Sequence, residues 1–159
     1  MQDVRIICVG KLKEQYWRDA CAEYSKRLSA YCRFSIIEID EHRLPDNPSG
    51  AQIEAGLNAE GKNILSKCPN GCDIIAMCIE GKTHSSEQLA VLAERSAISS
   101  RGMCFIIGGS FGLSDEVKAK AKVKLSMSPM TFPHQLARVM LCEQIYRAFC
   151  INNGSKYHK

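Results

Sequence analysis

An α/β fold with a parallel sheet is what the sequence predicts, and three observations carry the prediction. Short apolar runs alternate with segments whose apolar residues recur at helical spacing. The runs show almost no apolar/polar alternation, the mark of strands covered on both faces, and the links between elements are short. No internal repeat, low-complexity tract or linker divides the chain, so residues 1–159 read as one domain.

The first strand covers residues 4–9 and stops at Gly10. A helix over residues 14–30 follows, because Trp17, Ala20, Cys21, Tyr24, Leu28 and Tyr31 form one apolar stripe. That stripe is core rather than a base-stacking platform. A second strand at 34–39 ends in a polar, proline-marked segment. Ile53, Leu57, Gly61, Ile64 and Leu65 then mark a second helical face, running to the turn before Asp73. The third strand, 74–79, is apolar throughout and is expected to stop at Glu80-Gly81-Lys82. Ser85-Ser86-Glu87-Gln88 matches a capping box and opens a third helix with Leu89, Leu92, Ala93 and Ser96 inward. A fourth strand at 104–107 runs into the glycine turn Gly108-Gly109-Ser110-Phe111-Gly112. A short capped helix, a short strand, a Ser/Met/Pro loop and a helix starting near Pro133 complete the chain.

The last helix differs from the others, being apolar nearly all round from Leu136 to Cys142 with only Arg138 interrupting. Such a helix is either enclosed by its own fold or covered by a second subunit, and a two-fold dimer seam is the preferred reading.

Composition narrows the function classes. At 45% hydrophobic and 24% charged residues the chain is neither disordered nor fibrous. It has no apolar run near the roughly 18 residues of a membrane span and no signal-peptide pattern at its start, so a cytoplasmic location is expected. A net charge of +4 permits an anionic partner without demanding one. Lys118, Lys120, Lys122 and Lys124 cluster in sequence beside the glycine turn, where they are either a solvated face or a phosphate-binding one. The nine cysteines are an odd number, several within strand runs, and are read as reduced. Cys68-Pro-Asn-Gly-Cys72 is read as a turn rather than a zinc site, since no second Cys or His pair stands nearby at ligand spacing.

Chemistry is expected where the glycine turn and the Ser/Met/Pro loop leave the sheet together, because ligands of open α/β sheets lie beyond the carboxyl ends of the strands. The turn is not G-x-G-x-x-G and no G-x-x-x-x-G-K-[ST] occurs, which weakens dinucleotide and P-loop readings. The loop Met127, Ser128, Pro129, Met130, Thr131, Phe132 combines soft apolar side chains with free main-chain groups, a wall suited to a flat purine. His134 and Arg138, at i and i+4, share a face near the start of the last helix.

Over nearly its full length the chain resembles the ribosomal RNA large subunit methyltransferase H family, a small branch of the SPOUT methyltransferases. The resemblance rests on Val9-Gly10-Lys11-Leu12-Lys13, Ile79-Glu80-Gly81-Lys82, Ile107-Gly108-Gly109-Ser110 with Gly112-Leu113, Leu125-Ser126, and Met130-Thr131-Phe132-Pro133-His134-Gln135. It continues through Arg138-Val139, Glu143-Gln144-Ile145-Tyr146-Arg147-Ala148 and the closing Tyr157-His158-Lys159.

The resemblance implies a C-terminal trefoil knot, a homodimer, and methyl transfer from S-adenosylmethionine to N3 of a pseudouridine in 23S rRNA within the ribosome, at position 1915. It implies a cofactor pocket at Met77, Gly108 and residues 127–132, with Met77 standing where the family commonly has Leu. No metal is called for. Arg138 is the expected stabiliser of charge on the uracil carbonyls and His134 the expected proton relay. Tyr157 and His158 are expected to close over the site or stack on the target base, and Lys118, Lys120 and Lys122 to meet RNA phosphates. A non-catalytic ribosome-binding factor of the same fold, and an ordinary doubly wound nucleotide-binding domain, are the alternatives.

Overall fold

A computed structural model describes residues 1–159. In chain order the elements are β1 (Asp3–Val9), α1 (Gln15–Leu28), β2 (Arg33–Ile39), α2 (Gly50–Lys67), β3 (Asp73–Thr83) and α3 (Ser86–Ile98). β4 (Met103–Ile107), α4 (Asp115–Lys120), β5 (Val123–Ser126) and α5 (His134–Asn152) complete it. The five strands form one sheet in the order β2-β1-β4-β3-β5, every neighbouring pair parallel.

The two sheet faces are covered by different helices. On one, Val4, Ile6, Cys8, Ile75 and Phe105 pack against Cys21 and Leu28 of α1, Leu89 and Ala93 of α3, and Leu141 and Ile145 of α5. On the other, Ile7, Val9, Ala76, Cys104 and Ile106 pack against Ile64 of α2 and Val117 of α4. Strands buried on both sides have no reason to alternate, which is why β1 and β4 read as continuous apolar runs.

The predicted α1 stripe faces the core as expected, and the Ser85 to Gln88 capping box is formed in both directions. A second box, Ser49 to Gln52, starts α2. α5 packs on both α1 and α3 and buries Arg138, Leu141, Cys142, Ile145, Ala148, Phe149 and Cys150. Its own fold thus buries seven of the nineteen residues of this helix and leaves the others half-buried or exposed.

β3 does not end at Glu80. Met77 pairs with Leu125 and so does Lys82, with the register shifting between them and Thr83 continuing onto Ser126. Residues 78–81 bulge out of the ladder before the strand resumes. Gly81 makes this possible, since a Cβ there would lie 2.7 Å from backbone atoms of Lys124 and Leu125.

Candidate functional site

The bulge in β3 forms one wall of a cavity of about 440 Å³ at the carboxyl ends of β3, β4 and β5. Three backbone segments converge on it: residues 77–80 from the bulge, 108–113 from the glycine turn, and 125–132 from the loop after β5. His134 and Ala137 of α5 complete the lining. The volume falls within the roughly 300–1,000 Å³ of small-molecule sites.

Each segment is shaped for close approach. Gly112 holds φ +86°, and its N–H donates to Gly109 O at 3.1 Å, so the turn folds back on itself. A Cβ at Gly108 would come within 2.3 Å of Gly112 O. The loop is braced by its own serines: Ser126 Oγ donates to Ser128 O at 3.2 Å and Met130 N–H donates to Ser128 Oγ at 3.0 Å. The N–H groups of Gly108, Met127, Ser128, Thr131 and Phe132 find no backbone acceptor in the chain. Backbone groups left free around a concave site are available to a ligand.

The rim combines apolar and charged groups. Ile79, Phe111 and Met130, three of the large hydrophobic side chains most exposed to solvent, all border the cavity. Lys118 reaches the rim from α4, with Nζ 2.6 Å from Glu80 Oε1. That contact lowers the Glu80 carboxyl below its ordinary value and raises the Lys118 ammonium above its own. Burial raises the thiol of Cys78, which lies on the bulge between the two walls.

The cofactor-pocket residues named from sequence, Met77, Gly108, Met127, Ser128, Pro129, Met130, Thr131 and Phe132, are brought together around this one cavity. The other expected residues scatter. His134 lines the cavity, but Arg138 does not. Arg138 is 5% exposed, and its guanidinium donates to Glu38 Oε2 at 2.7 Å and to Gly10 O at 3.1 Å.

Lys118, Lys120 and Lys122 do not form one patch. Lys120 pairs with Glu116 on the surface of α4. Lys122 binds Asp73 at 2.7 Å, at the amino end of β3 and so at the opposite edge of the sheet. α4 ends at Lys120, and Lys122 already leads into β5 through its N–H bond to Ile74 O. The cluster in sequence is therefore not a cluster in space.

The tail is docked away from the cavity. Tyr157 O–H donates to Glu143 Oε1 at 3.1 Å and its ring meets Tyr146 edge-on at 4.9 Å. Burial and the Glu143 carboxylate push the Tyr157 phenol up to about 12. His158 Nε2 stands 2.8 Å from Glu87 Oε1, so the tail bridges α5 and α3.

Residues 2–158 match the sequence family described as predicted SPOUT methyltransferase. The chain is 48% identical over 158 residues to the ribosomal RNA large subunit methyltransferase H of Clostridioides difficile (strain 630), covering 99% of each. The enzyme of that name from Bacillus pumilus (strain SAFR-032) is equally similar, again 48% identical over 158 residues. Among solved structures, the fold is similar to a probable methyltransferase from Bordetella pertussis Tohama I, with TM-score 0.56, 14% identity, and 93% of this chain and 96% of that one covered. It is also similar to a probable methylase family protein from Haemophilus influenzae Rd KW20, with TM-score 0.54 and 14% identity, covering 99% of this chain and 71% of that one. With the family match spanning nearly every residue, the chain belongs to the ribosomal RNA large subunit methyltransferase H family of the SPOUT methyltransferases.

Proposed function

We propose that this protein methylates N3 of a pseudouridine in 23S rRNA on the assembled ribosomal particle, using S-adenosylmethionine held in the cavity between β3, β4 and β5. The convergence of residues 77–80, 108–113 and 125–132 on one cavity carries the reading. A purine and its ribose need flat apolar walls and main-chain donors and acceptors. Met77, Leu125 and Met127 offer the former, and the unbonded N–H groups of the turn and loop the latter. Gly108 lets the turn close on itself, since a Cβ there would collide with Gly112 O. When bound, the cofactor supplies a methyl group already activated on a sulfonium.

What the chain adds is position and a route for the N3 proton. His134, exposed at the start of α5 and lining the cavity, is placed to take that proton directly or through water. Arg138 acts one layer behind. By gripping Glu38 and Gly10 it fixes the first turn of α5 against the carboxyl ends of β1 and β2, and thereby fixes His134. Stabilising charge on the uracil carbonyls, the role its position in sequence suggested, would require it to leave Glu38. Lys118 offers a cation to RNA phosphates at the rim.

A second copy of the chain completes the site in this reading. The exposed Ile79, Phe111 and Met130 around the cavity, with the half-buried Leu136 and Met140 on α5, are apolar surface that a two-fold partner covers. The C-terminal segment is also read as knotted. β5 lies at the sheet edge beyond β3, yet α5 packs between α1 and α3, so the chain must pass the connection from β3 to α3. Pulling the chain from its two ends tests this: a contour length equal to that of the full extended chain would rule a knot out.

The function itself is tested by incubating the purified protein with methyl-labelled S-adenosylmethionine and ribosomal particles, then identifying the labelled nucleoside by mass spectrometry. N3-methylpseudouridine from the large-subunit RNA is expected. Label in another nucleoside, or none, would overturn the proposal.

A further inference from the structure

Cys68 and Cys72 are joined by a third thiol the sequence did not place. Cys104 lies beside them, and the three sulfur atoms stand within 4.8 Å of one another. They come from three separate segments. Cys68 caps the C-terminus of α2, Cys72 immediately precedes β3, and Cys104 is the second residue of β4. Their meeting is fixed by the fold, because β3 pairs with β4 through Ile74↔Cys104 and the Pro69-Asn70-Gly71 turn returns the chain to the sheet. In that turn Gly71 holds φ +75°, and Cys72 N–H donates to Pro69 O at 3.3 Å.

All three side chains pack into the apolar cluster on this face of the sheet. Cys68 Sγ donates to Ile64 O at 3.6 Å, but neither Cys72 nor Cys104 has an oxygen acceptor. Cys104 is buried, whereas Cys68 and Cys72 are half-exposed, so a small ion can reach the three sulfurs from solvent. Arg5, the β1 partner of Cys104, lies on the same side of the sheet and donates to Lys67 O at 3.2 Å. Three thiolates around a divalent ion leave one net negative charge, which this guanidinium is placed to balance.

We propose that Cys68, Cys72 and Cys104 form a site for one thiophilic divalent cation of the zinc class, with the fourth position open to solvent. Thiolates bound at about 2.3 Å in tetrahedral geometry stand about 3.8 Å apart, so each sulfur need move only about half an ångström. The site lies at the amino edge of the sheet, opposite the methyl-transfer cavity. It ties the end of α2 to β3 and β4, a structural role rather than a catalytic one.

The test is titration of the fully reduced, full-length protein with zinc and with cadmium. One equivalent per chain is expected, with a sulfur-to-metal charge-transfer band in the cadmium form. Cys72→Ser is expected to weaken binding by more than the roughly ten- to hundredfold that loss of a supporting residue costs. Cys21→Ala, which alters a thiol on the opposite face of the sheet, leaves binding intact. In the unmutated chain, zinc should slow alkylation of Cys68 and Cys72, mapped peptide by peptide, and raise the thermal midpoint without changing affinity for S-adenosylmethionine. Absence of stoichiometric uptake, retention of binding by Cys72→Ser, or protection of other cysteines instead would overturn the assignment.

Discussion

Arg138 Nη1 lies 2.7 Å from Glu38 Oε2, joining the first turns of α5 to the carboxyl end of β2 across 100 residues of sequence. The same carboxylate oxygen accepts from Leu12 N–H at 3.2 Å, so one acid organises the ends of β1, β2 and α5 together. The Arg138 Nε has no partner, and the guanidinium therefore depends heavily on Glu38.

Removing the acid leaves a buried cation uncompensated. Glu38→Gln is expected to cost about 3 kcal/mol, the low end for breaking a buried pair because Glu38 is itself 36% exposed. Urea unfolding checks the cost. If Arg138 acts by positioning, Arg138→Ala and Glu38→Gln lower methyl transfer by similar factors, and the double variant falls little further. A double variant that loses the product of both factors would place Arg138 on the substrate instead.

Lys118 and Lys122 are expected to part company. Lys118→Ala should weaken binding to ribosomal particles and reduce the slope of log affinity against log salt by about 1, since one phosphate contact is lost. Lys122→Ala should leave that slope unchanged and lower stability, because its partner is Asp73 at the far edge. Filter binding over a salt series, with urea unfolding alongside, separates the two.

Asp73 should govern acid stability. Burial pushes its carboxyl up, but Lys122, Ser96 and Arg101 together more than offset this and hold it below 3.8. Its contribution is complete above its unfolded value and is lost as pH falls through the lower folded value. Stability of the native chain should thus drop as the pH is lowered below about 4, and that of Asp73→Asn should drop less. At pH 6 the substitution should cost about 2–3 kcal/mol, as loss of hydrogen bonds to a charged group does. Urea unfolding at pH 6 and over the acid range below pH 4 measures both.

The sheet and its helices were legible because burial on both faces writes itself into sequence as unbroken apolar runs, and capping residues mark helix starts. The two loops that line the cavity were legible because glycine and proline betray irregular backbone locally, whereas Met77 was named only through the family resemblance. What escaped was long-range. The resumption of β3 after its bulge depends on where β5 lies, so Glu80-Gly81-Lys82 looked like an end. Arg138 carries no local sign that its partner is Glu38, and the pairing of β3 with β4 alone brings Cys104 to Cys68 and Cys72. The lysines misled because nearness in sequence is not nearness in space: α4 ends at Lys120, and Lys122 already leads into β5 at the far end of the sheet.

The central claim is that three backbone segments hold S-adenosylmethionine, and Gly108 tests it most directly. A Cβ there would meet Gly112 O at 2.3 Å, whereas one at Gly50 would meet nothing within 4 Å. By calorimetry the native protein should bind S-adenosylmethionine, Gly50→Ala should bind it equally, and Gly108→Ala should lose at least about tenfold in affinity, roughly 1.4 kcal/mol. No binding by the native protein, or unchanged binding by a folded Gly108→Ala, would contradict the account.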